Sequence, residues 1–358
     1  MPWRQAPGAA DPYQVWVSEV MLQQTRVATA TPYYRRFLCR WPTLESLARA
    51  REEDVLAAFS GLGYYARGRN LLRAARLALA SHGGLPASYP ALLELPGFGP
   101  YTAGAVASIA FGIPEAAVDG NAARVLARLF GLGGALSAPG RRRRLQALAR
   151  GLLTPERPGD LNQSVMELGA TLCLPRGPRC GRCPLAEWCR AFRSGRTGSI
   201  PPPRPKRKPA TLRLALARVE RGGRLLLWRR PAPGLFGGLW QLPGVEVAGE
   251  RGARLRLRNA LRTRLGLRCR VGRGEAELVR ALTHRRLVLQ VFRCDLTAGS
   301  GLRVGTDLRW AGPEELTRLS LPTAMRRAIE ASAGAGKGPG RVGRACGPRA
   351  GGGGARGP

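Results

Sequence analysis

Four cysteines, Cys173, Cys180, Cys183 and Cys189, stand at C-x6-C-x2-C-x5-C spacing and form the strongest chemical signal in the chain. Four thiolates over so short a span can surround one metal centre, either a zinc ion or a [4Fe–4S] cluster. Structural zinc usually takes two close Cys pairs, and only Cys180–Cys183 makes one here. Cys39, Cys269, Cys294 and Cys346 lack such clustering and read as ordinary thiols. A second candidate is Glu19, set in Val15-Trp16-Val17-Ser18-Glu19-Val20-Met21-Leu22. At helical spacing Trp16, Val20 and Val27 share a face with Glu19 on its margin. A carboxyl group half-buried among apolar neighbours has its pKa pushed up, as a general acid near neutral pH requires. Most glutamates are instead solvated or paired, so the residue alone leaves both readings open.

A third stretch runs from Leu95-Pro96-Gly97-Phe98-Gly99-Pro100-Tyr101-Thr102 to Val118-Asp119-Gly120-Asn121. Its prolines and glycines make a tight turn, and Pro100 suits the first position of a new helix. Backbone N–H groups left outward by such a turn, including those around Gly97 and Gly99, bind phosphate. A P-loop would continue with Lys-Ser or Lys-Thr after Gly104, but Ala105-Val106 follows, which argues against nucleotide binding. Asp119 ahead of a helix expected at Asn121–Phe130 is by itself only an N-cap.

Leu95–Thr102 resembles the helix-hairpin-helix of base-excision DNA glycosylases, and Val118-Asp119-Gly120 resembles that superfamily's aspartate loop. Members that also cut the strand carry lysine where this chain has Tyr101, so the resemblance implies a glycosylase without a Schiff-base nucleophile. Tyr101, Asp119 and Asn121 are similar to the adenine DNA glycosylase (MutY) family. The resemblance makes Glu19 the acid that protonates the adenine leaving group and Asp119 the group that stabilises the sugar cation. Tyr101 and Asn121 orient both carboxyls. It implies a [4Fe–4S] cluster on Cys173, Cys180, Cys183 and Cys189, with Arg176, Arg179 and Arg182 toward phosphate. DNA contacts are expected from Arg4, Gln23, Gln24, Thr25, Tyr64, Gly97 and Gly99, with Tyr64 as the wedge and Tyr65 as packing.

The elements that must position these residues are nearly all helical in the first half. Helical apolar spacing is expected over Pro12–Ala30, Tyr33–Leu56 and Ala66–Ala80, and the Arg141–Arg144 run opens another helix as a solvated face. The expected organisation is an α-helical glycosylase domain at 1–193 and a basic, proline-rich linker at 194–210. A smaller α/β module follows at 211–332, with a disordered Gly/Arg-rich tail at 333–358. In the module, Leu212, Leu214 and Leu216 alternate, Gly222-Gly223 turns into Arg224–Trp228 as a hairpin, and Leu257–Leu265 is helical. Leu235–Gly244 resembles the entry to a Nudix fold. The helix that would carry the metal-binding glutamates reads Arg258-Asn259-Ala260-Leu261-Arg262, which argues against nucleotide hydrolysis. By resemblance this module helps recognise 8-oxoguanine, with Leu282-Thr283-His284 where the family usually has Phe-Ser-His, so Thr283 and His284 are expected at the lesion.

The composition agrees with a nucleic-acid partner: 58 Lys and Arg against 23 Asp and Glu over 358 residues, a formal charge of +35. A composition biased toward arginine accounts for part of that excess. No secretory signal and no membrane-length apolar run is present, and the cysteine usage suits a reducing compartment. The expectation is therefore a monomeric, cytoplasmic, nucleoid-associated enzyme of prokaryotic type. It would excise adenine mispaired with 8-oxoguanine or guanine from double-stranded DNA. The alternatives are a thymine G/T mismatch glycosylase, against which Gln23-Gln24 and the second module argue, and a catalytically silent DNA-binding protein.

Overall fold

The computed structural model describes residues 10–203, 209–231, 234–282, 285–297 and 307–334. Arg4, Thr283 and His284, part of the expected linker and nearly all of the expected tail lie outside these residues. The chain divides into two compact units: Met1–Lys208 with Arg230–Trp240 and Glu314–Pro322, and Pro209–Arg229 with Gln241–Pro313 and Thr323–Pro358.

The first unit is helical. It comprises α1 (Pro12–Leu22), α2 (Val27–Arg40), α3 (Leu44–Ala48), α4 (Glu52–Ala58), α5 (Ala66–His82) and α6 (Tyr89–Glu94). It continues with α7 (Pro100–Phe111), α8 (Gly120–Leu129), α9 (Pro139–Leu152), α10 (Pro158–Thr171) and α11 (Arg190–Arg193). Helix α1 is apolar on every side, and such a helix belongs inside. Tyr13 and the run from Val15 to Met21 are buried, with α2, α5 and α7 packed around them. Asp11 starts α1 by accepting from the Tyr13 and Gln14 amides. Trp16 stacks on Phe98 of the α6–α7 turn at 5.3 Å, which ties α1 to the hairpin. Helix α7 is rich in small residues, so backbone can approach it. A Cβ on Gly104 would lie 2.3 Å from the Ala116 carbonyl oxygen, and only glycine lets the segment before Asp119 pass there.

Three expectations about this unit need correcting. The helix expected over Pro12–Ala30 breaks at Gln23–Arg26, where Gln24 takes a left-handed backbone (φ 57°). Val27 consequently starts α2 and is 38% exposed, off the face shared by Trp16 and Val20. The apolar spacing over Tyr33–Leu56 is shared by α2, α3 and α4. Thr43 and Ser46 form a reciprocal capping box that restarts the helix at α3. Glu19 is not marginal but 7% exposed.

The second unit contains β1 (Ala210–Arg218), β2 (Glu220–Arg221), β3 (Arg224–Arg229), β5 (Gly244–Val247), α12 (Ala253–Leu265), β6 (Cys269–Ala281), β7 (Arg285–Leu296), β8 (Leu308–Ala311) and α14 (Thr323–Gly334). Two short elements, β4 (Trp240–Gln241) and α13 (Pro313–Arg318), span the division between the units. The main sheet has the order β5-β1-β7-β6. Strand β1 runs parallel to β7 (Leu214 beside Leu289) and antiparallel to β5. Leu214, Ala215, Leu216 and Ala217 are buried consecutively, so both faces of β1 are covered. The expected hairpin at Gly222-Gly223 exists, but β2 rather than β1 is its first strand; β8 takes the other edge of β3. The long strand β1 leaves the hairpin to pair with β7, a non-local register that alternation alone does not reveal.

Two downstream segments belong with the helices. Leu239 sits fully buried in the core that holds Phe37, Leu56 and Phe59. Trp240 Nε1 donates to Glu53 Oε1 at 2.8 Å, and Arg69 Nη1 donates to the Gly237 carbonyl at 2.5 Å. Ser60 Oγ donates to the Leu321 carbonyl at 2.9 Å.

Candidate active site

Four of the residues singled out from the sequence, Glu19, Tyr101, Asp119 and Asn121, meet within the helical unit. Glu19 reaches the meeting point from the middle of α1, and Tyr101 from the first turn of α7. The Tyr101 hydroxyl donates to Glu19 Oε2 at 2.5 Å and also lies 3.3 Å from the Met166 sulfur on α10. Burial raises the Glu19 pKa to about 7; the Tyr101 hydrogen bond opposes that rise and the Asp119 charge adds to it. Tyr101 is itself pushed well above its ordinary value by burial and by the neighbouring Glu19 charge. It therefore stays a hydrogen-bond donor at neutral pH.

Asp119 is the N-cap of α8, and its surroundings differ from those of Glu19. One oxygen accepts the Ala122 amide at 2.7 Å, and the other accepts Asn121 Nδ2 at 3.1 Å. Burial raises the Asp119 pKa, but the Ala122 and Asn121 donors and the Arg124 charge all hold it down. The helix N-terminus also favours the anion. The two carboxyls are close enough to feel each other, and only one of them has a full set of donors.

Several supporting side chains were not foreseen from the sequence. Arg124 Nη2 donates to Asn121 Oδ1 at 3.0 Å and to the Gly169 carbonyl at 2.8 Å, while its Nε donates to the Cys173 carbonyl at 2.8 Å. Asn162, 4% exposed, holds the segment that leads to Asp119: it accepts from the Ala117 amide and donates to the Glu115 carbonyl and to Ser108 Oγ. An apolar helix face interrupted by one Asn, and an Arg one helical turn after Asn121, were the available signals.

The expected DNA-contacting positions divide. Gln24 is exposed and Tyr64 is 38% exposed with a left-handed backbone (φ 51°), whereas Tyr65 is buried. Gln23 is half-buried and its Nε2 donates to Thr102 Oγ1 at 3.2 Å; the side chain faces the hairpin helix. Thr25 is half-buried beside it. Gly97 (φ 85°) supplies the left-handed bend of the hairpin and is exposed, and Gly99 caps α7.

Cys173, Cys180, Cys183 and Cys189 are free thiols; burial raises the Cys180 pKa, the other three add to the rise and Arg128 opposes it. Arg128 Nη1 donates to Cys173 Sγ at 3.3 Å. Among the described residues no group of three or more His, Cys, Asp or Glu side chains is assembled to hold a metal ion. The four thiols are unbridged, Cys173, Cys183 and Cys189 all act electrostatically on Cys180, and a guanidinium lies on one sulfur, a donor set of the chemistry that thiolate-ligated clusters use. Arg176, Arg179 and Arg182 are exposed. No helix among the described residues is long and apolar enough to cross a membrane.

Comparison with known proteins matches residues 17–151 to the HhH-GPD superfamily of base excision DNA repair proteins and residues 214–331 to the NUDIX domain. The chain is 37% identical to the adenine DNA glycosylase of Homo sapiens over 382 residues, covering 91% of this chain and 70% of that protein. It is 36% identical to the adenine DNA glycosylase of Arabidopsis thaliana, covering 91% of this chain and 61% of that one. Among solved structures, a thermostable thymine-DNA glycosylase aligns at 29% identity with a TM-score of 0.49, over 54% of this chain and 88% of that one.

Proposed function

The chain belongs to the adenine DNA glycosylase family and is a base-excision repair glycosylase, and on that premise we propose that it releases adenine mispaired with 8-oxoguanine or guanine through Glu19 and Asp119. The observation that carries this reading is the buried Glu19 carboxyl, held at 2.5 Å by Tyr101 with its pKa near 7, beside the donor-rich Asp119.

Adenine leaves the stack first, at a cost of a few kcal/mol that Tyr64 and Gln24 offset by filling the gap. Glu19 then passes its proton to a ring nitrogen of adenine. The bond between C1′ and the base breaks with its electron pair going to the base, and positive charge develops on the sugar. Asp119, anionic, stabilises that charge in a site shielded from water. Water adds at C1′, and its proton returns to the Glu19 carboxylate. Tyr101 and Asn121 hold the two carboxyls in register. No amine stands at the Tyr101 position, so no Schiff base forms and the strand stays intact.

In this reading Cys173, Cys180, Cys183 and Cys189 hold a [4Fe–4S] cluster, which would shape the basic loop that bears Arg176, Arg179 and Arg182. Gly97 and Gly99 cradle a backbone phosphate. Arg4, Thr25, Thr283 and His284 add DNA contacts, the last two toward the lesion. The enzyme acts as a monomer on double-stranded DNA inside the cell. Single-turnover base release from 8-oxoguanine·A, G·A and G·T duplexes tests the assignment. Adenine release from the first two supports it, and thymine release without adenine release overturns it. A visible absorption band in the purified protein that bleaches on reduction tests the cluster.

A further inference from the structure

Arg67 has no part in the chemistry above, yet its guanidinium makes five hydrogen bonds. It lies in the first turn of α5, where a cation opposes the helix dipole. Its guanidinium turns away to the opposite end of α1. Nη1 donates to the carbonyls of Val20 (2.8 Å), Met21 (3.0 Å) and Gln23 (2.6 Å). Nη2 donates to Thr25 Oγ1 (3.4 Å) and to the Gly63 carbonyl (3.3 Å).

These bonds complete the hydrogen bonding at the end of α1. Of the last four carbonyls of that helix, Glu19 O is taken by the Gln23 amide and Leu22 O by the Thr25 amide. Val20 O and Met21 O are taken by Arg67, which supplies the positive charge that the last turn of α1 lacks. The guanidinium also lies 5.5 Å from the Tyr64 ring centroid. Burial lowers its pKa to about 10, so it remains charged at neutral pH.

Arg67 therefore touches two separate loops, and each loop contains a non-glycine residue with a left-handed backbone: Gln24 (φ 57°) and Tyr64 (φ 51°). Such conformations persist only where the surroundings over-determine them. We propose that Arg67 is a positioning residue for base extrusion, a strap that fixes the Gln23–Thr25 loop to the Gly61–Tyr65 turn so that Gln24 and Tyr64 enter the duplex as one preformed wedge. This deepens the function proposed above and rests on it.

Lysine at this position keeps the charge but cannot reach five acceptors on two loops at once. The test compares the full-length protein with Arg67→Lys, and with Arg67→Met where that variant folds. Amide hydrogen exchange is read at Gln23–Thr25 and Gly61–Tyr64. Single-turnover adenine release is read on two duplexes, one with adenine opposite 8-oxoguanine and one with adenine opposite an abasic site, which needs little extrusion. In Arg67→Lys both loops should exchange about tenfold faster together, and release from the 8-oxoguanine pair should fall at least about tenfold. Release of the unpaired adenine should stay within about threefold of wild type. Exchange that is unchanged, or that quickens in one loop only, overturns the strap. An equal loss on both duplexes also overturns it, because that marks damage to Glu19 rather than to extrusion. If the wild type releases adenine from neither duplex, the glycosylase reading fails, while the exchange measurement still decides whether Arg67 couples the loops.

Discussion

Helices α1 and α12 each pack into the core of their own unit, but they keep opposite kinds of polar residue. Helix α1 holds one acidic side chain, Glu19, buried with a tyrosine hydroxyl on it. Helix α12 buries Ala253, Leu257 and Leu261 and exposes Arg254, Arg256, Arg258, Arg262 and Arg264, with no carboxylate anywhere along it. A metal-dependent nucleotide hydrolase needs oxygen ligands for its cation. The second unit matches the NUDIX domain, and its helix α12 offers no carboxylate for that role. A fold can persist after its reactive groups are gone, because packing and reactivity use different faces of the same helix.

The largest expected effect comes from Glu19→Gln, which removes the proton donor: base release should fall by about 10²–10⁴-fold while duplex binding is kept. Wild-type-like turnover would break the contrast, since α1 would then be as inert as α12. The intact enzyme sharpens it further through pH. With a Glu19 pKa of about 7, the protonated acid is lost as pH rises through that value, and the chemical step should slow about tenfold per unit above it. Stability follows the same group. A carboxyl with its folded pKa raised favours the native state when neutral, so stability falls between the ordinary glutamate value and about pH 7. Glu19→Gln should then be more stable than wild type at pH 8 by up to about 3 kcal/mol, read by denaturant unfolding.

Asp119→Asn keeps the shape but removes the charge, and single-turnover release should fall by about 10²–10³-fold. Unchanged release would take Asp119 out of the mechanism. Gly104→Ala forces a Cβ toward the Ala116 carbonyl and should cost about 1–3 kcal/mol, seen as a lowered melting temperature. The smallest effect is expected in the other unit. Arg262 is exposed on α12, so Arg262→Glu should change stability by less than about 0.5 kcal/mol and leave base release unaltered.

Much of the candidate site was legible before the structure. Glu19 within an apolar run, the Pro-Gly-Phe-Gly-Pro turn and Asp119 ahead of a helix carry local signals, since caps, turns and apolar period depend on neighbours in the chain. Tyr64 exposed and Tyr65 buried agree with the family resemblance, since two adjacent tyrosines after a glycine turn carry no local signal that tells them apart. The break after Leu22 carries none either, because Gln-Gln-Thr has no proline or glycine to mark it. At that break Arg67, more than forty residues away in the chain, occupies the carbonyls that a further helical turn would have used.

The sequence by itself determined which groups could react and which could not: a single acid in an apolar helix, an N-cap aspartate, four clustered thiols and an α12 without carboxylates. Tertiary structure alone decided that Glu19 is buried beside the Tyr101 hydroxyl and within reach of the Asp119 charge, while Asp119 keeps its donors. It also buried Leu239 in the helical core and set the Trp240 indole on Glu53. The physical reason is that desolvation and charge–charge coupling depend on separation in space. For residues a hundred positions apart, that separation is set by packing.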